Sequence, residues 1–180
     1  MEVSKTPFKD LLIIKPRVHK DGRGCFLESW NKRAFEEAGV PALYVQDNQS
    51  RSAANVLRGL HLQLPPHAQG KLVKVLRGAV LDIALDLRKG EKTFGKHFSM
   101  ILREDDHTLL YIPPGFAHGF RTLEDDTTFL YKCTHYYNRE SERAILWNDP
   151  ALGIDWGTTS PLLSQKDRDA IPFSEFESPF

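Results

Sequence analysis

The chain has 180 residues, of which 41% are hydrophobic and 27% charged, a balance typical of a soluble globular protein with a single domain over residues 1–180. Lys plus Arg and Asp plus Glu each number 24, so net charge is not expected to attract nucleic acid or a membrane surface. The two cysteines form no C-x-x-C pattern, no apolar signal segment opens the chain, and no window reaches the ~18 apolar residues of a membrane span, so a reduced, cytoplasmic location is predicted.

The first predicted elements are short. The apolar run Leu11 to Lys15, which stops at a proline, predicts a strand. Arg23 to Glu28 predicts a possible edge strand. Asn31 to Ala38 predicts a two-turn helix, with Gly39 placed to cap its C-terminus.

A polar run follows the next strand-like segment. Ala42 to Val45 predicts a strand, and Gln46-Asp47-Asn48 comes directly after it. Taken separately, these polar residues and those of the edge strand resemble ordinary solvent-exposed surface residues. Together with Arg58 they would form the basic, hydrogen-bonding wall that a diphosphate needs, because Arg matches phosphate oxygens bidentately. The side chains of this predicted wall are Arg23, Phe26, Glu28, Gln46, Asp47 and Asn48.

A strand is predicted over Arg58 to Gln63, and its alternation places His61 and Gln63 on one face and Arg58 on the other. Imidazole titrates near neutral pH, so His61 is a candidate for proton transfer. A lone histidine on a strand is also commonly a core residue whose ring is satisfied by a backbone carbonyl. Because its partner two residues on is Gln63 and not a second His, the strand is a poor start for a metal site.

The middle of the chain predicts a β-hairpin. Leu72 to Leu76 and Ala79 to Arg88 flank Arg77-Gly78, and alternate residues of the second arm are apolar. Lys71 lies at the entrance to the first arm. It is either a solvated charge at a strand end or a cation that stabilises negative charge developing on a carbonyl oxygen.

More strands follow, with a polar turn over residues 103–106. They are predicted at Lys96 to Leu102, Thr108 to Ile112, Gly119 to Leu123 and Thr127 to Tyr137. His118 ends a Pro-x-Gly-x-x-His turn that aims its imidazole back over the sheet. Tyr131 is either a core aromatic or, if it faces a pocket, a general acid.

The last predicted element is a short helix that opens at Ser164. Asp167 either caps this helix, because Ser followed three residues later by an acid is a helix-start signature, or accepts an N–H of His61 and fixes its tautomer. The sequence favours neither role. Many short strands, few short helices and no strand–helix alternation predict an all-β antiparallel sandwich or barrel.

The turn before His118 resembles the second signature of the cupin superfamily, in which that histidine often binds a metal. Metal cupins usually supply a His-x-His pair and a Glu earlier in the chain. Here the early pair is His61-x-Gln63, so a full ligand set is hard to assemble and no metal is expected. A metal-dependent cupin dioxygenase or isomerase using His61, Gln63 and His118 stays as an alternative.

Longer motifs carry a more specific resemblance. They are Arg58-Gly59-Leu60-His61-x-Gln63, Gln69-Gly70-Lys71-Leu72-Val73, Pro114-Gly115-Phe116-Ala117-His118-Gly119-Phe120, Leu130-Tyr131-Lys132-Cys133-Thr134, Trp147-Asn148-Asp149-Pro150 and Gly153-Ile154-Asp155-Trp156. With them the chain resembles the dTDP-4-dehydrorhamnose 3,5-epimerase family from about Leu12 to Asp167. The resemblance implies a cupin-like jelly roll, a homodimer, no metal or redox cofactor, and a dTDP-4-keto-6-deoxyglucose substrate that is inverted at C3 and C5.

The same resemblance implies roles for individual residues. His61 would be the base and Tyr131 the acid, while Asp167 would orient His61 and Lys71 would steady an enolate oxygen. Tyr137 would stack on the thymine base. The remaining residues assigned to substrate binding are Arg23, Phe26, Glu28, Gln46, Asp47, Asn48, Arg58, Gln63, His118, Glu142 and Lys166.

Two further alternatives stay open. A C3- or C5-only epimerase of a related deoxysugar pathway would share the His61 and Tyr131 pair. A silent sugar-nucleotide binder would be expected to lack at least one of the four catalytic candidates, and all four are present. Strict alternation also places Arg58 away from His61, so a shared site requires a partner chain, a twist or a bulge.

Overall fold

The computed structural model describes all 180 residues, and most of its regular structure is β. The strands are β1 (Glu2–Lys5), β2 (Leu12–Lys15), β3 (Val18–Asp21), β4 (Gly24–Leu27), β5 (Gln46–Ser52), β6 (Leu57–Gln63), β7 (Lys71–Arg77), β8 (Ala79–Asp86), β9 (His97–Arg103), β10 (Leu109–Ile112), β11 (Phe116–Thr122), β12 (Thr127–Cys133) and β13 (Glu142–Ala144). The helices are α1 (Lys32–Glu37), α2 (Gln165–Arg168) and a 3₁₀ turn at Phe173–Glu175. None of these helices has the length and apolar character needed to cross a bilayer.

The strands form two antiparallel sheets and a small ribbon. One sheet has the order β1-β2-β10-β7-β12-β5 and the other β13-β6-β11-β8-β9, while β3 pairs only with β4. The two large sheets pack face to face as a cupin-like jelly roll. The predicted all-β class, with a few short helices, is confirmed.

Apolar residues fill the space between the sheets and also cover both outer faces. The inner layer is Phe8, Leu11, Val73, Val75, Val80, Ala84, Leu102, Leu110, Ile112, Phe116, Phe120 and Phe129. Residues of the segment after β13, including Trp147 and Trp156, cover the five-stranded sheet, and Phe35 of α1 covers the six-stranded sheet. A strand in the middle of such a sandwich is buried on both faces, which explains why nearly every residue of β8 is buried.

The hairpin predicted around Arg77-Gly78 is wrong. β7 pairs with β10 and β12, whereas β8 pairs with β11 and β9, so the chain crosses from one sheet to the other at this turn. Gly78 has φ +78°, and a Cβ there would lie 2.5 Å from the Thr127 hydroxyl. Both arms have the apolar pattern of a hairpin because each is a buried strand, and the sequence does not show which partners they choose.

Other differences concern the limits of strands. The predicted strand at Ala42 to Val45 is absent, and the polar run that follows it is the beginning of β5. The strand predicted from Gly119 begins at Phe116, and the one predicted to reach Tyr137 ends at Cys133. Strands β1, β3 and β13 were not predicted, because their short, polar segments lack the apolar alternation that marks a half-buried strand.

A bulge in β6 decides where Arg58 points. His118 of β11 pairs with His61, and Phe120 pairs with Arg58, so two steps along β11 match three steps along β6. The three steps along β6 pass through Gly59, which has φ +139°. A Cβ at this position would lie 2.4 Å from the Cα of Gly119. The bulge shifts the alternation by one residue, and Arg58 and His61 therefore line the same cavity.

Candidate active site

A polar cavity lies between the inner faces of the two sheets. It has two adjoining lobes of about 440 and 250 Å³. Both lobes are lined by Asn48, His61, Lys71, Tyr131 and Glu142. These side chains come from five different strands, and all five belong to the site that was predicted from the sequence.

His61 and Asp167 form a short polar contact in the cavity, with Nε2 of His61 2.5 Å from Oδ1 of Asp167. The other carboxylate oxygen accepts a hydrogen bond from the Ser164 hydroxyl at 2.7 Å, and the Asp167 backbone N–H donates to that hydroxyl at 3.2 Å. The two roles considered for Asp167 therefore coexist. It lies in the first turn of α2, capped by Ser164, and its carboxylate contacts His61.

The charge of Asp167 suits this contact. Only 2% of the residue is exposed. Burial alone would raise the pKa of its carboxyl group, but hydrogen bonds from His61 and Ser164 more than offset burial and hold the pKa below its ordinary value. A carboxylate can only accept, so Nε2 of His61 carries the proton and Nδ1 is left as the basic nitrogen.

Lys71 lies at the start of β7 and points into the cavity. Its Nζ donates to the backbone carbonyl of His61 at 3.2 Å. Burial lowers the pKa of its amine, and the nearby acidic groups Cys133, Glu142 and Asp82 oppose this effect only in part. The lysine is therefore held within the cavity wall next to the candidate base and does not extend into solvent.

Tyr131 projects from β12, which belongs to the sheet opposite His61. Its ring packs against Phe129 at a centroid distance of 6.3 Å, and it lines both lobes of the cavity. Burial raises the pKa of its phenol. The tyrosine is therefore partly a core aromatic and partly a cavity group that remains protonated at neutral pH.

His118 lines the larger lobe and pairs across the strands with His61. It is nearly buried, and its Nε2 lies 2.9 Å from Oδ2 of Asp82. Burial lowers the pKa of its imidazole more than Asp82 raises it. Asp82 was not predicted as a site residue, although it is an acid on the inner face of a mostly apolar strand.

A chain of polar contacts borders the cavity near β13. Glu142 forms an ion pair with Lys166 and accepts a hydrogen bond from the Tyr137 hydroxyl at 2.9 Å. Burial would raise the pKa of Glu142, but Lys166 and Tyr137 together hold it below its ordinary value. All three residues were predicted to bind substrate, and the structure brings them together.

The inner face of β5 forms the next part of the wall. The Gln46 amide donates to Asn48 at 3.0 Å, and its oxygen accepts from the Tyr137 backbone N–H at 2.8 Å. Alternation along β5 also brings Ser50 to the larger lobe, where its buried hydroxyl has no hydrogen-bond partner within the chain. Ser50 was missed because the predicted strand stopped before it.

Arg58 lines the same lobe as these residues, with one guanidinium N–H donating to the Ser52 hydroxyl at 3.1 Å. The remaining donors of its guanidinium group are available to an anion. The bulge in β6 is thus the explanation, among the three considered, for how Arg58 and His61 reach one site.

Gln63 was predicted to bind substrate, and in the structure its side chain hydrogen-bonds to backbone groups of its own chain. Its amide donates to the carbonyls of His67 and Tyr136 at 2.6 and 3.2 Å, and its oxygen accepts from the Asn138 N–H at 2.7 Å. The side chain borders the smaller lobe, but its polar atoms bond the backbone of the loop after β6 and of the segment after β12. Since they are already bonded, Gln63 does not complete a metal ligand set with the two histidines, and no three His, Cys, Asp or Glu side chains are grouped to hold a metal.

Asp47 does not line the cavity, contrary to the prediction. Its neighbours in β5 point inward, so alternation turns Asp47 outward. There it forms an ion pair with Lys132 at 2.9 Å, and the Lys132 amine lies 5.4 Å from the centre of the Trp30 ring. Once Gln46 to Asn48 are assigned to a strand, this orientation follows.

Arg23, Phe26 and Glu28 are also outside the cavity of their own chain. They lie on or next to the β3–β4 ribbon, where the Arg23 side chain is 91% exposed and pairs only with Asp21 at 2.6 Å. Phe26 is 69% exposed, an unusual amount for a phenylalanine. Within one chain the ribbon therefore contributes nothing to the cavity that holds His61.

Comparisons with known proteins show which proteins the chain resembles. The sequence profile described as dTDP-4-dehydrorhamnose 3,5-epimerase matches residues 5–175. A Shigella flexneri protein of that name is 49% identical over 168 residues, covering 93% of each chain. The crystal structure of dTDP-4-dehydrorhamnose 3,5-epimerase from Elizabethkingia anophelis has a TM-score of 0.92 and 47% identity, covering 97% of each chain. A Legionella pneumophila 3,5-epimerase in complex with dTDP-4-keto-L-rhamnose has a TM-score of 0.92 and 44% identity, covering 98% of this chain and 94% of that one.

Proposed function

We propose that this chain, which belongs to the dTDP-4-dehydrorhamnose 3,5-epimerase family, inverts C3 and C5 of dTDP-4-dehydro-6-deoxy-D-glucose to give dTDP-4-dehydro-L-rhamnose. One observation carries the proposal. The candidate base His61 and the candidate acid Tyr131 project into one cavity from opposite sheets. Inversion removes a proton from one face of a sugar carbon and returns one to the other face, so the two groups have to flank the ring.

His61 is the base in this proposal. The 4-keto group of the substrate acidifies the hydrogens on both neighbouring carbons, C3 and C5, so one base can serve both centres. Nδ1 of His61 takes the proton, while Asp167 holds Nε2–H and stabilises the imidazolium that forms. The lowered pKa of Asp167 keeps it ionised for this purpose.

Lys71 stabilises the intermediate. Loss of the proton places negative charge on the 4-keto oxygen, and an ammonium group held in a partly dry cavity interacts with such a charge more strongly than it would in water. Lys71 contacts the backbone of His61, so a carbonyl near Lys71 has its neighbouring carbons near the base.

Tyr131 returns the proton. Burial raises the pKa of its phenol, so the group is protonated at neutral pH and can donate. After donation the tyrosinate recovers a proton from solvent and the His61 imidazolium releases one to solvent, so the cavity is ready for the second centre or the next substrate.

The polar wall binds the nucleotide in this proposal. Arg58 contacts the diphosphate, for which its fork of N–H donors is suited. Gln46 and Asn48 add hydrogen bonds. Tyr137 stacks on the thymine base, and its hydroxyl is anchored by Glu142.

A homodimer completes the site. Arg23, Phe26 and Glu28 belong to an exposed ribbon that does not meet the cavity of its own chain. Insertion of the ribbon into the cavity of a second copy would bury Phe26 and bring Arg23 to the diphosphate, where its charge has a partner other than Asp21. A cytoplasmic location, where nucleotide sugars are made, belongs to the same proposal.

Deuterium incorporation tests the reaction. Incubation with dTDP-4-dehydro-6-deoxy-D-glucose in deuterated water is expected to give product labelled at both C3 and C5, measured by NMR. The His61→Asn variant is the control and should incorporate no label above the spontaneous rate. Label at one carbon alone would indicate a mono-epimerase, and absence of enzyme-dependent label would contradict the proposal altogether.

A further inference from the structure

A second acid–imidazole pair lies beneath the cavity, and the proton transfers described above do not use it. Asp82 is on the inner face of β8 and is 0% exposed. The residues on either side of it on that face, Val80 and Ala84, are core residues. The one hydrogen-bond partner of the Asp82 side chain is Nε2 of His118, and its Oδ1 has no partner within the chain.

This environment is unfavourable for a carboxylate, because burial of a charge is costly unless it is paired and fully hydrogen-bonded. Asp86 provides a comparison on the same face of the same strand, also 0% exposed. Asp86 receives two hydrogen bonds from the Arg88 guanidinium and one from Thr93, so its charge is neutralised. Asp82 forms no ion pair with any Lys or Arg. Packing alone therefore does not account for an acid at position 82.

The contact between Asp82 and His118 determines where the imidazole carries its proton. A carboxylate accepts and does not donate, so Nε2 of His118 is the protonated nitrogen. Burial disfavours the doubly protonated ring. Nδ1 is then left with a lone pair, it has no hydrogen-bond partner within the chain, and His118 lines the larger lobe beside His61.

We infer that Asp82 is a positioning residue, which holds His118 in the Nε2–H tautomer and so presents Nδ1 as an acceptor to a hydroxyl of the substrate's sugar ring. The identity of the sugar rests on the proposed function, whereas the tautomer does not. A bare ring nitrogen accepts from a hydroxyl and cannot donate, so it distinguishes a hydroxyl from a keto oxygen at the same point of the ring.

The tautomer is measured directly by ¹⁵N NMR of the histidine-labelled wild-type protein, with the His118 signals assigned by comparison with His118→Gln. We expect a protonated Nε2 and an unprotonated Nδ1 at neutral pH. A protonated Nδ1, or a doubly protonated ring, would overturn the inference without any variant at position 82.

Asp82→Asn tests the consequence for substrate. Its amide can offer an N–H to Nε2 and thereby shift the ring toward the other tautomer. We expect kcat/KM for the dTDP-keto sugar to fall about 10- to 100-fold, while the Kd for dTDP alone, which lacks the sugar, changes less than about 2-fold. Equal losses for both ligands would mean that Asp82 serves only the fold, and kcat/KM within about 2-fold of wild type would also overturn the inference.

Asp86→Asn is the matched control. It removes a buried acid from the same strand face, and we expect a lower melting temperature with the wild-type tautomer of His118 and wild-type kcat/KM. If the wild-type protein incorporated no deuterium, the proposed function would fail, while the ¹⁵N spectra of wild type and Asp82→Asn would still decide whether Asp82 sets the tautomer.

Discussion

His61 and His118 face each other across two neighbouring strands, and each contacts an aspartate through Nε2. The two histidines differ in how deeply their side chains are buried, and this gives them different chemistry. The His61 side chain is 26% exposed to the cavity and His118 only 5%. Burial disfavours a charged imidazolium, so His118 is suited to stay neutral, whereas His61 can accept and release a proton during turnover.

Asp167→Asn should separate catalysis from binding at His61. The amide keeps the shape of the side chain but removes the charge that stabilises the imidazolium. We expect kcat to fall about 10²- to 10³-fold with KM changed by less than about 3-fold, measured in a steady-state assay. Asp169→Asn, an exposed acid at the end of the same helix, is the control and should behave as wild type. A rise in KM with kcat retained would show that Asp167 positions substrate and does not support the base.

Some residues of the site could be identified from the sequence and others could not, and the reasons are physical. His61, Lys71 and Tyr131 were identified because each side chain has a chemistry that stands out against an apolar strand. Asp82 did not stand out, because it and Asp86 occupy equivalent positions of one alternating pattern. Only the folded chain shows that one acid meets a histidine and the other an arginine.

Among the elements, β6 is the one on which the site depends most. Its bulge turns Arg58 into the cavity and lets Gly59 and Gly119 approach closely. The sequence predicted the strand and the conflict over Arg58, but not the position of the bulge. A bulge depends on the backbone of the neighbouring strand, and β11 lies far from β6 in the sequence.

Gly59→Ala is expected to destabilise the protein by about 2–5 kcal/mol, because a Cβ at φ +139° would meet the backbone of Gly119 at 2.4 Å. The free energy of unfolding from urea titration measures the effect, and aggregation on expression would count as the same result. Gly90→Ala, where a Cβ has open space, is the control and should change stability by less than about 0.5 kcal/mol. Similar stability for the two variants would mean that the β6–β11 contact relaxes freely.

At the scale of the whole molecule, the homodimer stays a prediction. Complementation between two inactive variants tests it. Arg23→Ala and His61→Asn should each be nearly inactive as pure dimers. If the ribbon serves the partner's cavity, mixed dimers contain one intact site, and random mixing should restore about a quarter of wild-type activity. If Arg23 acted in its own chain's cavity, every site in the mixture would carry one defect and activity would stay at the level of the single variants.

The order of the six-stranded sheet has a further consequence for synthesis of the chain. β5 is an edge strand whose one partner is β12, so a ribosome that has completed β5 at Ser52 has yet to make residues 127–133 before β5 can pair. An unpaired strand in a growing chain invites aggregation unless its side chains discourage it. The polar residues that line the cavity, together with the outward charges of Asp47 and Arg51, make β5 soluble during that wait. The same side chains thus protect the nascent protein before they have any ligand to bind.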